Sequence, residues 1–465
     1  MNLAQATALE IAAAVRGGRI SARAVAEDAL TRIAATHGRI NAFTAVTSAR
    51  ALAEADAVAA ALMAGRDPGP LAGATYAVKN LFDLAGVVTV AGSKINRELP
   101  PAVVDATAVT RLQAAGAVCL GALNMGEYAY DFVTENAHDG PTRNPRDWNR
   151  SAGGSSGGCG AAVAAGLVSF TLGTDTNGSI RVPSSFCGTW GFKPTYGRLS
   201  RGGSFPFVDS LDCIGPLARS VADLAVTYDA MQGRDPRDHA CSPLPSALAT
   251  PTLEGGSGNL RVAMLGGYFS KGGDPQVHAA VAAVAAGLEV TRQVEIPEAA
   301  IARSAAFLIT AAESGRLHLE NLKTRAGDFD PAARDRFLAG ALLPAAWYLQ
   351  AQNFRKWFRE RMLEVFRDVD VLLAPATPVS ATRIGQQEMT LDGQTMLVRP
   401  NLGLFTQPIS FVGLPVVAAP VQTVGSMPVA VQLIAAPWRE VELLRVARVL
   451  EQRGICSAPA APLAA

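Results

Sequence analysis

The stretch Gly153-Gly-Ser-Ser-Gly-Gly-Cys-Gly-Ala-Ala-Val-Ala-Ala-Gly166 has no charged residue and no side chain larger than valine. Residues 153–158 alone fit a flexible linker about as well as a catalytic loop. They lead directly into residues 157–166, however, where such short side chains permit a helix to pack closely against a sheet. We therefore expect a glycine-rich loop followed by a buried helix in a protein of the α/β class.

Helical periodicity marks the N-terminal part of the chain. Residues 3–16 and 22–35 show it, Ser21 is a suitable N-cap for the second segment, and an alanine-rich run extends to Met63. We predict an N-terminal helical layer over residues 1–65.

Short apolar runs predict strands after that layer. They lie at residues 74–78, 117–123, 260–265, 369–374, 416–421 and 428–434. The last two runs, joined by a Gly/Ser turn, favour an antiparallel pair, and together with the alternating strands and helices they predict a mixed sheet. The Pro-, Ser-, Thr- and Gly-rich segment 241–259 predicts a surface connection. We expect one domain over residues 1–455 and a frayed tail over residues 456–465.

Composition limits the partners that the chain can have. Of its 465 residues, 49% are hydrophobic and 17% charged, as expected of a compact enzyme. Its 41 Lys and Arg residues nearly balance 40 Asp and Glu residues, so no basic surface for nucleic acid is expected. The N-terminus lacks the basic start of a secretion signal, and the uncharged run 152–174 has too few large apolar residues for a membrane span. With six scattered cysteines and no CxxC pair, we expect a cytoplasmic protein with reduced thiols and no metal site.

Two further features carry possible chemistry. In Gly173-Thr-Asp-Thr-Asn-Gly-Ser-Ile-Arg181, small residues leave consecutive backbone N–H groups able to point at one place, which suits a developing oxyanion, although an ordinary turn is the alternative. Lys79 follows a predicted strand between apolar neighbours. A lysine is usually solvated at the surface, but burial would lower its pKa and let the neutral amine act as a base.

Other catalytic arrangements lack support in the sequence. No histidine lies in a setting that suggests a Ser-His-Asp triad; the five are His37, His138, His239, His278 and His318. The chain contains no P-loop, dinucleotide-binding fingerprint or HExxH pair. We therefore expect neither a cofactor nor a metal ion.

The motifs together are similar to those of the amidase signature family. Ala77-Val-Lys79-Asn80, residues 153–158, residues 173–181 and Phe192-Lys-Pro-Thr195 match that family in order and spacing, and family-like sequence extends to Leu450. The resemblance implies an α/β/α fold, with helices on both faces of a large mixed sheet. It also implies a catalytic triad of two serines and a lysine.

Carried onto this chain, the resemblance assigns each catalytic role. It implies that Ser179 is the nucleophile that forms an acyl-enzyme, that Ser155, after a cis peptide at Gly154, relays the proton, and that Lys79 is the base. The oxyanion hole would consist of four backbone N–H groups, those of Thr176, Asn177, Gly178 and Ser179. Asn177 stands where the family usually has glycine, which implies a side-chain amide near the substrate.

Longer stretches resemble the branch of this family that hydrolyses 1-carboxybiuret in bacterial cyanuric acid (s-triazine) degradation. They are residues 79–83, 91–97, 175–181 and 431–438. This resemblance implies release of ammonia from a small anionic ureido compound to give urea-1,3-dicarboxylate. It also implies a small helical partner subunit similar to the small subunit of the tRNA-dependent amidotransferase. We expect Arg399 to bind the substrate carboxylate, with a solvent-facing arginine as the alternative.

Other functions remain open at this level. Residues 132–136 and 140–145 resemble the glutaminase subunit of the tRNA-dependent amidotransferase. That resemblance implies an aspartate, which binds the amino group of glutamine, at the position that Gly403 occupies in this chain. Allophanate or malonamide hydrolysis is a second alternative, and a homo-oligomer is equally open. A non-catalytic scaffold is disfavoured because Lys79, Ser155 and Ser179 are all present.

Overall fold

The structure of the protein is a computed structural model that describes residues 1–422 and 427–462. Fifteen α-helices, several short 3-10 turns and seventeen strands are found in these ranges. The α-helices are α1 (Ala8–Arg16), α2 (Ala22–Ile40), α3 (Ser48–Met63), α4 (Thr107–Ala114), α5 (Gly157–Ala164), α6 (Arg181–Cys187), α7 (Val221–Met231), α8 (Pro275–Gly287), α9 (Ala299–Leu317), α10 (Leu319–Arg325), α11 (Pro331–Ala341), α12 (Ala345–Val365), α13 (Val398–Asn401), α14 (Gln407–Ser410) and α15 (Glu440–Gln452).

Eleven of the strands form one mixed sheet, and the other six form three short hairpins. The strands are β1 (Phe43–Val46), β2 (Thr75–Lys79), β3 (Val118–Leu123), β4 (Glu135–Asn136), β5 (Gly140–Pro141), β6 (Arg143–Asn144), β7 (Asp147–Ser151), β8 (Phe170–Asp175), β9 (Trp190–Lys193), β10 (Cys213–Ala218), β11 (Val262–Leu265), β12 (Gln293–Val294), β13 (Val371–Pro375), β14 (Glu388–Leu391), β15 (Gln394–Leu397), β16 (Val416–Val421) and β17 (Val429–Ala435).

The main sheet runs in the order β1-β3-β2-β8-β10-β9-β16-β17-β13-β11-β12. Strand β2 pairs parallel with both β3 and β8, whereas β16 and β17 pair antiparallel. The mixed sheet and the antiparallel pair near the C-terminus are thus confirmed. The Gly/Ser turn expected between these two strands falls on residues 423–426, outside the described ranges.

Both faces of the sheet are buried beneath helices, which confirms the α/β class with helices on both sides. On β2, Tyr76 and Val78 belong to one core cluster, whereas Ala77, pointing the other way, belongs to a second. The first cluster includes apolar residues of α4 and α7, and the second includes those of α2 and α5. Because successive side chains of a strand point to opposite faces, each face has its own hydrophobic core.

The N-terminal layer differs from the prediction in two details. Helix α1 begins at Ala8 rather than at residue 3, because Thr7 and Glu10 form a capping box that starts the helix there. Strand β1 interrupts the predicted run of helices and pairs with β3, a contact that local periodicity does not reveal. The N-cap assigned to Ser21 is confirmed, since its side chain accepts a hydrogen bond from the N–H of Ala24.

The remaining connections agree with the sequence except at the C-terminus. No strand or α-helix occurs in residues 241–259, and most of their side chains are exposed or half-buried. The expectation of a frayed tail is wrong for residues 456–462: Cys456 is buried, and the N–H of Ala461 donates to the carbonyl of Ala164 at 2.7 Å. Small apolar side chains let this segment lie against α5. Among the helices described, none has the length and apolarity needed to cross a membrane.

Helix α5 packs as closely as its small residues predict. A Cβ atom on Gly158 would lie 2.5 Å from the carbonyl oxygen of Asn124 and 2.7 Å from that of Ala42. Since Asn124 follows β3 and Ala42 precedes β1, only glycine permits this approach of the helix to the sheet edge. The position of Ser155, just before the helix, depends on the same contact.

We expect Gly158→Ala to lower the free energy of unfolding by about 1–3 kcal/mol, because the added methyl group must displace backbone atoms. Gly38→Ala is the matched control. Gly38 lies in α2, where a Cβ atom would have no other atom within 4 Å, so alanine there should stabilise the helix by up to about 1 kcal/mol. Urea denaturation of both variants measures the difference, and equal stability of the two would contradict the packing described for α5.

Candidate active site

The three motifs meet at one edge of the main sheet. Strand β2 ends at Lys79, and its parallel neighbour β8 ends at Asp175. Parallel strands end at the same edge, so the segment after β8, which contains Ser179, comes close to Lys79. Ser155 lies just before α5, and the close packing of that helix places Ser155 at this edge. A Cβ atom on Gly153 would lie 2.8 Å from the Cα of Pro183, which brings the glycine-rich loop against α6.

Lys79 is completely buried, so the interpretation as a solvated surface lysine is wrong. Its Nζ donates hydrogen bonds to Ser155 Oγ at 2.7 Å and to Thr174 Oγ1 at 2.8 Å. Sequence reasoning did not identify Thr174, although it lies within the quoted motif, because nothing local shows that its hydroxyl faces the lysine. The two hydroxyls fix the position of the amine.

Burial determines the protonation of this amine. Desolvation lowers the pKa of Lys79 from 10.5 to about 8, against an opposing effect of Cys159, Asp212 and Asp175. No carboxylate lies within 4 Å of Nζ in the described ranges to stabilise the charged form. A substantial fraction of Lys79 is therefore neutral near pH 8 and able to accept a proton.

The glycine-rich loop is a rigid part of the site rather than a linker. The peptide between Gly154 and Ser155 is cis, as the family resemblance implies, and Ser155 is fully buried. The carbonyl of Ser155 accepts hydrogen bonds from the N–H of Gly126 at 3.3 Å and from Thr134 Oγ1 at 3.2 Å. These bonds fix the direction of the Ser155 side chain toward Lys79.

The segment from Thr176 to Ser179 forms a cluster of free donors. No acceptor for these four backbone N–H groups is found in the described part of the chain. Thr406 Oγ1 donates to the carbonyl of Asn177 at 2.6 Å, and Gly178 has a φ of 139° that favours glycine. The loop is thus held in a shape that leaves its N–H groups available to a substrate oxygen.

A buried ion pair between the residues that flank the loop 176–179 holds it in place. Arg181 and Asp175, both fully buried, are joined by hydrogen bonds of 2.8 and 2.9 Å, and Arg181 also donates to Gln432 Oε1 at 2.6 Å. Burial alone would raise the pKa of Asp175, but the charge and hydrogen bonds of Arg181 keep it below its usual value. Because Asp175 also accepts the N–H of Ile180 at 3.1 Å, it fixes the chain just after Ser179.

Ser179 lines a small cavity. Its walls include Thr176, Asn177, Thr310, Gln407 and Arg336, together with aromatic rings such as Phe207 and Phe307. Ser179 is only 3% exposed, so the nucleophile predicted from the sequence lies in a small, nearly closed space. A space this small suits a compact substrate.

The cation at this cavity is Arg336, not Arg399. Arg399 forms ion pairs of 3.3 Å with Asp131 and with Glu135 and does not line the cavity, so the expectation for its side chain is corrected. Arg336 donates a hydrogen bond to the carbonyl of Tyr130 at 2.9 Å, and its guanidinium carbon lies 3.7 Å from the centroid of the Tyr130 ring. Within residues 1–422 and 427–462 it has no carboxylate partner. Sequence reasoning missed Arg336 because it lies on α11, far from any motif.

Asn177 also lines the cavity. Its Nδ2 donates to Thr310 Oγ1 at 2.9 Å, whereas its buried Oδ1 has no hydrogen-bond partner in the described residues. No group of three or more His, Cys, Asp or Glu side chains in that same part of the chain could hold a metal ion.

Comparisons with known proteins agree with this geometry. The family model described as Amidase matches residues 24–444. AtzE, the 1-carboxybiuret hydrolase subunit of Pseudomonas sp. (strain ADP), is 55% identical over 449 residues, 96% of this chain and 98% of that protein. A glutamyl-tRNA(Gln) amidotransferase subunit of Chromohalobacter salexigens is 37% identical, with 96% of each chain covered. A solved structure described as a vestigial protein complex related to an s-triazine catabolic enzyme has a TM-score of 0.96 at 55% identity, covering 97% of this chain and 99% of that one.

The lowered pKa of Lys79 predicts a pH-dependent stability. Its pKa is about 8 in the folded protein and 10.5 as the reference for the unfolded chain, so the unfolded chain binds more protons between these values. Stability should therefore rise with pH across this window, by up to about 3 kcal/mol relative to Lys79→Met, in which the group is absent. Urea denaturation of both proteins across the window checks this. Lys356→Met, at an exposed position, is the control, and parallel curves for the protein and Lys79→Met would refute the pKa shift.

Proposed function

The chain belongs to the amidase family and is a hydrolase of amides, and on this basis we propose that it releases ammonia from 1-carboxybiuret through an acyl-enzyme. The observation that carries the proposal is the buried Lys79 amine, hydrogen-bonded to Ser155 at 2.7 Å at the sheet edge where the segment of Ser179 begins. Urea-1,3-dicarboxylate is the expected second product.

The first half of the proposed mechanism forms the acyl-enzyme. Ser179 Oγ attacks the terminal carbonyl carbon while its proton passes to Ser155 Oγ, and the proton of Ser155 passes to neutral Lys79. The free N–H groups from Thr176 to Ser179 stabilise the negative oxygen of the tetrahedral intermediate. Lys79 then returns its proton through Ser155 to the departing nitrogen, the C–N bond breaks, and ammonia leaves.

The second half repeats the relay with water. Water attacks the acyl carbon and loses a proton through Ser155 to Lys79, and the proton returns to Ser179 Oγ as the ester bond breaks. The pKa of Lys79, about 8, supports this role because the base must be neutral at the start and protonated in the intermediate. Arginine could not replace it, since a guanidinium stays protonated.

The cavity supports a small anionic substrate. Arg336 supplies a positive charge with no carboxylate partner in the described ranges, and guanidinium groups bind carboxylates through paired hydrogen bonds. The small size of the cavity suits a compact ureido acid better than a lipid amide. The 55% identity to a 1-carboxybiuret hydrolase subunit supports the same choice.

A partner and a location complete the proposal. A relative with 55% identity is described as part of a protein complex, which supports a partner subunit for this chain, and we expect a small helical one. The six cysteines are free thiols in buried positions, which supports the cytoplasmic location expected from the sequence.

Glutamine hydrolysis is the second candidate, favoured by 37% identity to the amidotransferase subunit. The contact between Gly403 and Phe132 disfavours it. A Cβ atom on Gly403 would lie 2.6 Å from the Phe132 ring, so an acidic side chain that binds the amino group of glutamine has no room there.

Replacement of the proposed nucleophile gives the direct test. Ser179→Ala should abolish ammonia release from freshly prepared 1-carboxybiuret and leave the fold intact, because no other hydroxyl can take its place. Ser184→Ala is the matched control: this buried hydroxyl lies on α6 and has no hydrogen-bond partner among described residues, so its loss should leave the rate unchanged. Ammonia release is also measured from glutamine and a fatty amide. Faster release from either of these would overturn the proposed substrate, and an active Ser179→Ala variant would overturn the nucleophile.

Arg336→Gln should lower kcat/KM for 1-carboxybiuret roughly 10- to 100-fold, chiefly through KM, because a charged hydrogen bond to the substrate is lost. Arg334→Gln, two residues earlier on α11 and paired with Asp335, is the control and should keep normal kinetics. An unchanged KM in Arg336→Gln would show that the carboxylate binds elsewhere.

A further inference from the structure

We propose that Asn177 and Thr310 together select substrates that carry an N–H group next to the scissile carbonyl, and so separate ureido compounds from alkyl amides. The inference rests on the proposed function. Asn177 would bind the N–H next to the scissile carbonyl, whereas Arg336 would bind the carboxylate at the far end of the substrate.

The observation that carries this proposal is an unpartnered oxygen in the cavity wall. Asn177 is 6% exposed, and its Oδ1 accepts no hydrogen bond from the described residues. Buried side-chain oxygens nearly always have a partner, and an exception in a binding cavity indicates a partner that arrives with the ligand. Since Oδ1 only accepts hydrogen bonds, that partner must be an N–H or O–H donor.

Contacts at both ends fix the orientation of this amide. Its Nδ2 donates to Thr310 Oγ1 at 2.9 Å, which turns Oδ1 away from α9. Thr310 is itself 1% exposed, and its carbonyl accepts a hydrogen bond from Ser314 Oγ at 2.7 Å. The backbone carbonyl of Asn177 is held by Thr406 Oγ1. The acceptor is therefore preorganised before any substrate binds.

The position of Asn177 places this acceptor beside the reacting carbonyl. Asn177 is two residues before Ser179 and contributes one of the free N–H groups proposed to bind the carbonyl oxygen. A ureido substrate has N–H on the atom next to its carbonyl carbon, and this N–H can pair with Oδ1. An alkyl amide such as glutamine has CH₂ there, which leaves Oδ1 buried and unpaired in the complex. The site thus disfavours alkyl amides more than it would without Asn177.

Allophanate and malonamate provide a matched pair of probes, because they differ only in NH or CH₂ between the carboxylate and the amide. The measurement is the ratio of kcat/KM for freshly prepared allophanate to that for malonamate, by ammonia release. A ratio removes effects on catalysis common to both compounds. We expect Asn177→Gly to lower the ratio roughly 10- to 100-fold, as for loss of one buried hydrogen bond.

Two further variants separate recognition from general damage. Thr310→Val keeps the shape but removes the acceptor that orients the amide, so it should also lower the ratio. Ser304→Ala, at an exposed position on α9 and outside the cavity wall, should leave the ratio at the value of the unmodified protein. An unchanged ratio in Asn177→Gly, or an equal loss in Ser304→Ala, would overturn the proposal. The ratio could fall as expected in Asn177→Gly while the unmodified protein releases no ammonia from 1-carboxybiuret. That result would support the role of Asn177 and reject only the proposed substrate.

Discussion

The buried amine of Lys79 is the constraint on which the rest of the site depends. An ammonium group in a space without a carboxylate partner is poorly solvated, so burial favours the neutral amine and lowers its pKa to about 8. The same burial requires hydrogen-bond partners, and Ser155 and Thr174 supply them at 2.7 and 2.8 Å. A proton acceptor and its connection to a serine therefore arise from one physical requirement.

The fold keeps these partners in place through close packing and one buried ion pair. Glycines in and before α5 let the loop of Ser155 lie against the sheet edge and against α6, where larger side chains would overlap backbone atoms. Asp175 and Arg181 hold the start of α6, just after Ser179. Removing one member of such a pair leaves an uncompensated buried charge, so the loop and its free N–H groups depend on both residues.

Two of the groups proposed to recognise the substrate lie in a different part of the molecule. Thr310 on α9 and Arg336 on α11 face the loop of Ser179 across the cavity. Lys79 ends β2, Ser179 follows β8 and Ser155 precedes α5, whereas the long helices supply the groups proposed to distinguish one amide from another.

The sequence by itself determined the mixed α/β fold and the packed helix after Gly153, because these depend on local periodicity and on small side chains. Its resemblance to the amidase signature family supplied the candidate residues Lys79, Ser155 and Ser179. It did not determine the burial of Lys79, the contact with Thr174, the strand β1 or the packed tail beyond Cys456, and it assigned the cavity cation to Arg399 instead of Arg336. Each of these depends on which distant segments meet. Burial and charge pairing are properties of the assembled chain, since desolvation and hydrogen-bond partners come from residues far apart in sequence, and only the tertiary structure brings them together.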